Sequence, residues 1–423
     1  MAGRCSRTAI GPRCLPRWLG LIGIVGLAVL TLTAWRPAIG QLAASPVVGE
    51  RQIVVVHRRS GTSADPRTLA GELGISHRES IELPSIALVV SVFAVRTTQD
   101  FDQLSTLLAQ RLKAIAVDGN QVYDGYADPG FALRARSLQY ALDRINAGNA
   151  ASLATGRGVR IALIDGGVDE RHPALAGKIL ARIDLVGEAR DPDPTSAIDE
   201  VRHGTGVAGI ILADGPMIGL APEARAIAIK AFAVRPGEGG HVRSSSDKIV
   251  RAIDVALRLK ARVINMSFGG PRDRVVEFVV AEALARGAII VAAAGNGDSP
   301  AAELIYPAAY PGVIAVAATD TQDRLVPTPG SGRHVVVAAP GVDVITTSPG
   351  GGFQALSGSS IAAAHVSGLV ALLIELRPTL EPGDVARMLR RTARPLPSGT
   401  AGGTPGMIDV AAALAAVATT AGR

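Results

Sequence analysis

Five short runs of almost unbroken apolar residues constrain this chain more than anything else in it: Val159–Ile164 (VRIALI), Ala226–Ala231, Val263–Met266, Ala288–Ala293 and Val313–Ala317. A strand that is apolar at nearly every position has no face to offer water. Such strands belong in a mostly parallel sheet covered by helices on both faces. Helical patterns at Ser246–Lys260 and Arg274–Arg286 fall between the runs, as crossover connections would. The expected fold from about Leu138 onward is therefore α/β, with no internal repeat.

A smaller unit precedes it. In residues 51–126, Gln52–His57 reads as a strand and Asp65–Leu73 as a short helix capped by Asp65, with Pro66 at its first position. Ser85–Val95 reads as one strand or two. Asp100–Arg111 reads as a helix with Phe101, Leu104, Leu107 and Leu108 on one face, and Lys113–Asp118 as a last strand. That pattern suits a small α+β sandwich. Tyr123–Arg136, bearing Gly, Pro, Asp and Arg, reads as a connector, which divides the chain into 51–126, a connector at 127–136, and 137–423.

The formal charge of +6 is concentrated at the start. Arg4, Arg7, Arg13, Arg17 and Arg36 stand among residues 1–40 without a single acid, and the rest of the chain is nearly balanced. A nucleic-acid binder carries its positive charge on a folded face, so nucleic acid is not an expected partner. The basic segment leads into Leu19–Ala34 (LGLIGIVGLAVLTLTA). This is the order of a secretory signal, and Ala38-Ile39-Gly40 offers small residues for cleavage. The uncharged residues 18–35, about 27 Å as a helix, would also serve as a membrane anchor, with Trp18 and Trp35 at the two interfaces. Either reading exports the remainder and limits membrane contact to the N-terminal segment. Both cysteines, Cys5 and Cys14, lie in this leader, so the exported part has no disulfide framework and no cysteine-ligated metal.

Four polar residues stand where chemistry would sit. Asp165 ends the first apolar run (ALIDGGVD), at the strand end where open α/β sheets place their sites, although a plain turn residue reads the same way. His203 opens HGTGVAGIIL at the entry to an apolar helix, with glycines that permit close backbone approach; a polar helix start is the ordinary alternative. Asn296 follows another buried strand (IIVAAAGNGD) and offers an amide donor, or simply an Asn-Gly turn. Ser360 lies where Gly358-Ser359-Ser360 turns into an Ala-rich helix. There a backbone N–H without an intrahelical partner and the positive end of the helix favour a developing oxyanion. Ser357 or Ser359 could cap that helix instead.

Taken together, these segments resemble the subtilisin-like serine proteases, the subtilase family (peptidase S8). Asp165 matches the strand-ending aspartate, His203 the histidine of HGTxVAG, Asn296 the asparagine of AAGN and Ser360 the serine of GTSxA. NMSFGG at 265–270 is similar to the family's substrate-binding strand, and YPAAYPGVIAV at 306–316 to the stretch beside its S1 pocket; the resemblance covers roughly residues 137–418. It implies a serine endopeptidase acting on polypeptides through Asp165, His203 and Ser360, with Asn296 in the oxyanion hole. It also implies a substrate cleft walled by Ser267-Phe268-Gly269 and Ala293-Ala294-Gly295, with Ile305 at the floor of S1 and a consequent preference for small to medium apolar P1 residues. Residues 51–126 resemble the family's propeptides, which act as chaperone and inhibitor in relatives, so self-processing within the connector is expected.

The departures are specific. Gly166 stands where Ser or Thr is common, Gly206 replaces the frequent second histidine, and Ser359 replaces threonine. The loop 213–222 lacks the Asn-rich calcium-binding insertion of many relatives, and the acidic stretch 184–200 reads as a solvated loop, with a cation-binding segment as the alternative. No cofactor is required, and structural calcium has no recognisable site here. His365 reads as a packed helix residue. A catalytically silent peptide-binding relative would lack one of the four chemical residues, and all four are present. A nucleotide-binding α/β protein would need GxGxxG or GxxxxGK[ST] after the first strand, and neither occurs.

Overall fold

The computed structural model describes residues 50–58, 64–125, 139–187, 194–234, 242–297, 304–328, 332–397 and 405–420. The expected leader and residues 126–136 of the connector lie outside these. The N-terminal unit contains β1 (Glu50–Arg58), α1 (Pro66–Glu72), β2 (Ser76–Leu83), β3 (Leu88–Arg96), α2 (Phe101–Arg111) and β4 (Ala116–Gly119), followed by β5 (Val122–Gly125). Its sheet is antiparallel in the order β2-β3-β1-β4. Asp65 and Asp100 cap α1 and α2 through Thr68 N–H and Gln103 N–H, each at 2.9 Å. Alternation along the strands separates two apolar faces. Ile53, Val55, Phe93 and Val95 pack on Leu69, Leu104 and Leu108 of the unit's own helices. Val54, Val56, Val90 and Val92 join the main core of the molecule instead.

That main core is built on α3 (Tyr140–Arg144), β6 (Arg160–Asp165), β7 (Ile179–Asp184), α4 (Pro194–Leu212), β8 (Arg225–Lys230), β9 (Ala233–Val234), β10 (Val242–Ser245), α5 (Ser246–Arg258), β11 (Val263–Met266), β12 (Phe268–Gly269) and α6 (Arg274–Ala285). It continues with β13 (Ile289–Ala293), β14 (Ile314–Thr319), β15 (Val337–Pro340), β16 (Val344–Ser348), β17 (Gly352–Leu356), α7 (Ser359–Leu376), α8 (Pro382–Thr392) and α9 (Val410–Thr420). A seven-stranded parallel sheet runs β15-β14-β13-β11-β6-β8-β7. The five apolar runs are all strands of it, and β6, β11, β13 and β14 are buried along almost their whole length. Among the described residues one helix, α7, is long and apolar enough to cross a bilayer, and it is buried against this sheet.

Three expectations are corrected. Ser85–Val95 is not strand throughout: Pro84–Ile86 forms a 3-10 turn, Ala87 takes a left-handed φ of 56°, and the strand runs Leu88–Arg96. The acidic stretch 184–200 is not loop throughout: Asp184 ends β7 and 194–200 form the first two turns of α4, while 188–193 lie outside the described residues. His203 consequently lies in the middle of that helix and not at its start.

The third correction concerns the connector. Tyr123–Gly125 belong to β5, which is hydrogen-bonded on one edge to β10 and on the other to β12 in a second sheet, β12-β5-β10-β9. The register sets Asp124 opposite Gly269 and Gly125 opposite Phe268. The N-terminal sheet meanwhile rests on α5 and α6, where Ser85 N–H donates to Asp254 (3.0 Å) and Asp118 accepts from Arg274 N–H at the start of α6 (3.1 Å).

Candidate active site

Asp165 is the last residue of β6, at the carboxyl end of the parallel sheet, and is buried. The α4 helix brings His203 onto it. His203 Nδ1 lies 2.8 Å from Asp165 Oδ2 and 3.0 Å from Oδ1. The approach is close because both sides omit a side chain. A Cβ on Gly204 would stand 2.1 Å from Gly167 O, and one on Gly166 2.1 Å from Glu200 O. Gly166 is thus a requirement of how tightly α4 packs here. Gly206 has a similar cause: a Cβ there would meet Leu356 Cδ1 at 2.4 Å, so the hairpin β16–β17 leaves no space for a second histidine.

Burial works against the charged form of His203, but the Asp165 charge and its hydrogen bond outweigh that penalty and hold the ring's pKa above its ordinary value. With Nδ1–H directed at the carboxylate, Nε2 is the nitrogen free to exchange a proton. It is buried and has no hydrogen-bond partner among the described residues, and the same holds for Ser360 Oγ. Asp165 and His203 are therefore in contact, while the bond between His203 and Ser360 is not closed.

Ser360 is the second residue of α7, whose N-cap is Gly358 at φ 146°. Neither alternative serine caps the helix. Ser359 Oγ accepts from Gly295 N–H (3.0 Å) and Ser357 Oγ from Asp343 N–H (2.9 Å). Asn296 Oδ1 accepts from Ser359 N–H at 2.8 Å, which fixes the amide and leaves Nδ2 to point elsewhere. An atom placed at the Cβ position of Gly358 would be 3.2 Å from Ser360 Oγ and 3.3 Å from Asn296 Nδ2. Hydroxyl and amide donor thus border one point in space. As an N-terminal residue of the helix, Ser360 has a backbone N–H without an intrahelical acceptor.

Of the expected cleft residues, Ser267 and Gly295 are bonded to the Ser359-Ser360 turn itself. Ser267 Oγ is 2.9 Å from Ser360 O and 2.9 Å from Asn265 Oδ1. Phe268 and Gly269 form β12, and Ala293, Ala294 and Gly295 are buried at the end of β13. Ile305 is half-buried, next to Tyr306, whose N–H and C=O pair with Gly270 (3.0 and 2.8 Å). His365 is buried within α7, its Nδ1 3.1 Å from Ile361 O, and burial pushes its pKa down to about 4. It is therefore neutral at pH 7. Among the described residues no group of three or more His, Cys, Asp or Glu is arranged to hold a metal ion.

Sequence reasoning passed over Glu200 and Lys230. Glu200 is buried one turn before His203, with Oε2 2.8 Å from Lys230 Nζ and Oε1 accepting from Val234 N–H at 2.9 Å. A small cavity is lined by Asp165, Glu200, His203, Phe232, Ser267 and Phe268 together.

The sequence matches the subtilase family over residues 156–410. It is 33% identical over 339 residues to a thermophilic serine proteinase of Bacillus sp. (strain AK1), covering 74% of this chain and 81% of that one. It is 35% identical over 283 residues to a subtilisin of Bacillus pumilus, covering 66% and 99% respectively. Among solved structures it is similar to fervidolysin from Fervidobacterium pennivorans, a keratinolytic enzyme related to subtilisin. The TM-score there is 0.68 at 26% identity, over 86% of this chain and 61% of the fervidolysin chain.

Proposed function

This chain belongs to the subtilase family and is a subtilisin-type serine endopeptidase; on that premise we propose that Asp165, His203 and Ser360 form its catalytic triad, that Asn296 completes the oxyanion hole, and that the protein is exported and frees itself of residues 51–126. The observation that carries the triad is the buried His203–Asp165 contact at 2.8 Å, with His203 Nε2 and Ser360 Oγ both without a partner among the described residues.

The steps follow from these positions. Ser360 Oγ attacks the carbonyl carbon of a peptide bond while His203 Nε2 removes its proton. Asp165 accepts from Nδ1–H, holds the imidazole in the required tautomer and stabilises the imidazolium. The carbonyl oxygen becomes an oxyanion and receives hydrogen bonds from Asn296 Nδ2 and Ser360 N–H. The intermediate then collapses, and His203 gives its proton to the departing amine. Water repeats the sequence on the acyl-enzyme, and Ser360 is regenerated.

Self-processing is supported by β5. An extended segment with both edges paired is how a substrate lies in a cleft that works by strand addition. The register carries the chain from Asp124, opposite Gly269, to Gly125, opposite Phe268. The next position along that wall is Ser267, which is bonded to Ser360 O. Cleavage is therefore expected beyond Gly125, within 126–136. Export rests on the basic and apolar order of residues 1–40.

A fluorophosphonate probe tests the chemistry. It should label the wild-type protein and not Ser360→Ala, and the Ser360→Ala precursor should remain full length in a protease-free preparation. Peptidase activity in pure Ser360→Ala would overturn the assignment, and trimming of that variant at the same site would assign maturation to another enzyme.

A further inference from the structure

We propose that Glu200 and Lys230 are positioning residues for His203, acting as the second point of a two-point clamp that fixes the rotation of α4. This rests on His203 as the general base.

Glu200 and His203 are three residues apart on α4, so their side chains leave the same face of the helix. His203 reaches Asp165 at the end of β6 and Glu200 reaches Lys230 at the end of β8. Those two strands are adjacent, and Asp165 and Lys230 are register partners, the last pair of the parallel ladder. One helix face is therefore tied, one turn apart, to two neighbouring strand ends. The α4 helix is also tied to the β16–β17 hairpin, where Thr346 Oγ and Thr347 Oγ donate to Gly206 O and Thr205 O and Arg202 bonds to Gln354. The two ties to strand ends about 4.8 Å apart add what the hairpin does not supply, a fixed rotation against the sheet at the turn that leads into His203, and that rotation sets where Nε2 points.

The clamp is built to hold. Both carboxylate oxygens of Glu200 are engaged, one by the Lys230 ammonium and one by Val234 N–H, so the buried charge has the partners it requires. Lys230 also lies 3.9 Å from Asp184, which anchors it from the opposite strand. The backbone near Asp165 is tied to the same place, since Ala231 N–H donates to Asp165 O at 2.8 Å. Neither Glu200 nor Lys230 touches the reacting atoms. Their contribution is made through the placement of His203, and a displacement of about 1 Å in such a group lowers a rate on the order of 100-fold.

The test uses the full protein on a peptide anilide with Leu at P1, with active enzyme titrated by fluorophosphonate and folding checked by thermal unfolding. Glu200→Ala and Lys230→Met should each lower kcat by about tenfold or more, with KM within about twofold. The double variant should be no slower than the slower single variant. Lys230→Arg should recover most of what Lys230→Met loses. A folded Glu200→Ala enzyme with wild-type kcat, a loss confined to KM, or Lys230→Arg no better than Lys230→Met would overturn the proposal. If the truncating variants do not fold, Glu200→Gln decides: it keeps an acceptor for Val234 N–H and loses the ion pair, so kcat should fall severalfold, and full activity would refute the clamp. His203→Ala separates the two levels. Activity surviving there sinks the triad, whereas its loss there beside full activity in Glu200→Ala sinks only the clamp.

Discussion

Replacing Gly166 by serine, a residue common at this position in the family, should damage the enzyme. The backbone at Gly166 does not need glycine for its conformation, so the effect is steric. A Cβ there would lie 2.1 Å from Glu200 O and 3.0 Å from its carbonyl carbon, and ordinary contact begins near 3.4 Å. One of the two backbones must retreat by about 1.3 Å to reach that separation. The Gly166 side is held by the strand it follows, since Asp165 is paired with Lys230 in the ladder and its C=O accepts from Ala231 N–H at 2.8 Å. The α4 helix therefore moves, and His203 moves with it. Overpacking of this kind costs about 1–3 kcal/mol of stability. The catalytic loss should be about 100-fold in kcat, because the displacement is applied one turn from the base. Gly148→Ser is the control, since a Cβ at Gly148 meets nothing within 4 Å. Peptide hydrolysis with titrated active sites, beside thermal unfolding, gives both numbers. A Gly166→Ser enzyme with wild-type kcat and an unchanged melting temperature would refute the argument that close packing excludes a side chain here.

Asn296→Ala should reduce kcat by about 10²–10³-fold, the range known for the corresponding donor in subtilisin, while KM changes little; a raised KM with kcat unchanged would assign Asn296 to binding. The base must be neutral to accept a proton, and Asp165 holds His203 above its ordinary pKa. The acidic limb of kcat/KM should therefore lie above 6.5, the ordinary value for histidine, with activity lost as pH falls through it, and a limb at or below that value would contradict the pairing. Ile305→Gly should raise the rate on Phe at P1 relative to Ala or Leu, by at most about 1–3 kcal/mol of discrimination, measured on a P1-varied anilide series.

What the sequence carries and what it does not has a physical pattern here. The central strands are legible because burial on both faces leaves an unbroken apolar run, as in Ile289–Ala293. The edge strand β7 is not, because it is half-buried at alternate positions and reads ILARID. Likewise β2, SHRESIEL, is largely polar and looks like a loop. The start of α4 is obscured by its own composition, PTSAIDE, in which Pro, Thr, Ser and Asp read as a loop and only Ala197 and Ile198 are apolar. Asp165, His203, Asn296 and Ser360 were legible because each sits in a distinctive local segment at a strand end or on a helix. Glu200 was not, since its meaning depends on Lys230, thirty positions along and on another element. The pairing of β5 was likewise hidden: its hydrogen bonds are made by the backbone to Arg243–Ser245 and Phe268–Gly269, and backbone partners leave no trace in side-chain identity.

The placement of β5 has a consequence for what the freed enzyme can cut. On the proposed release of residues 51–126, β10 and β12 would present two facing rows of unpaired N–H and C=O groups, and whatever replaced β5 would have to supply an extended segment with both of its edges vacant. A strand inside a folded sheet has at most one vacant edge, and a helix has none. Intact proteins should therefore be cut only at segments that open spontaneously, at a rate set by the population of the open form. The cleft would then act as a gauge of its target's local stability: a destabilising substitution in a substrate protein, remote from the cut, should accelerate cleavage as strongly as a better residue at P1.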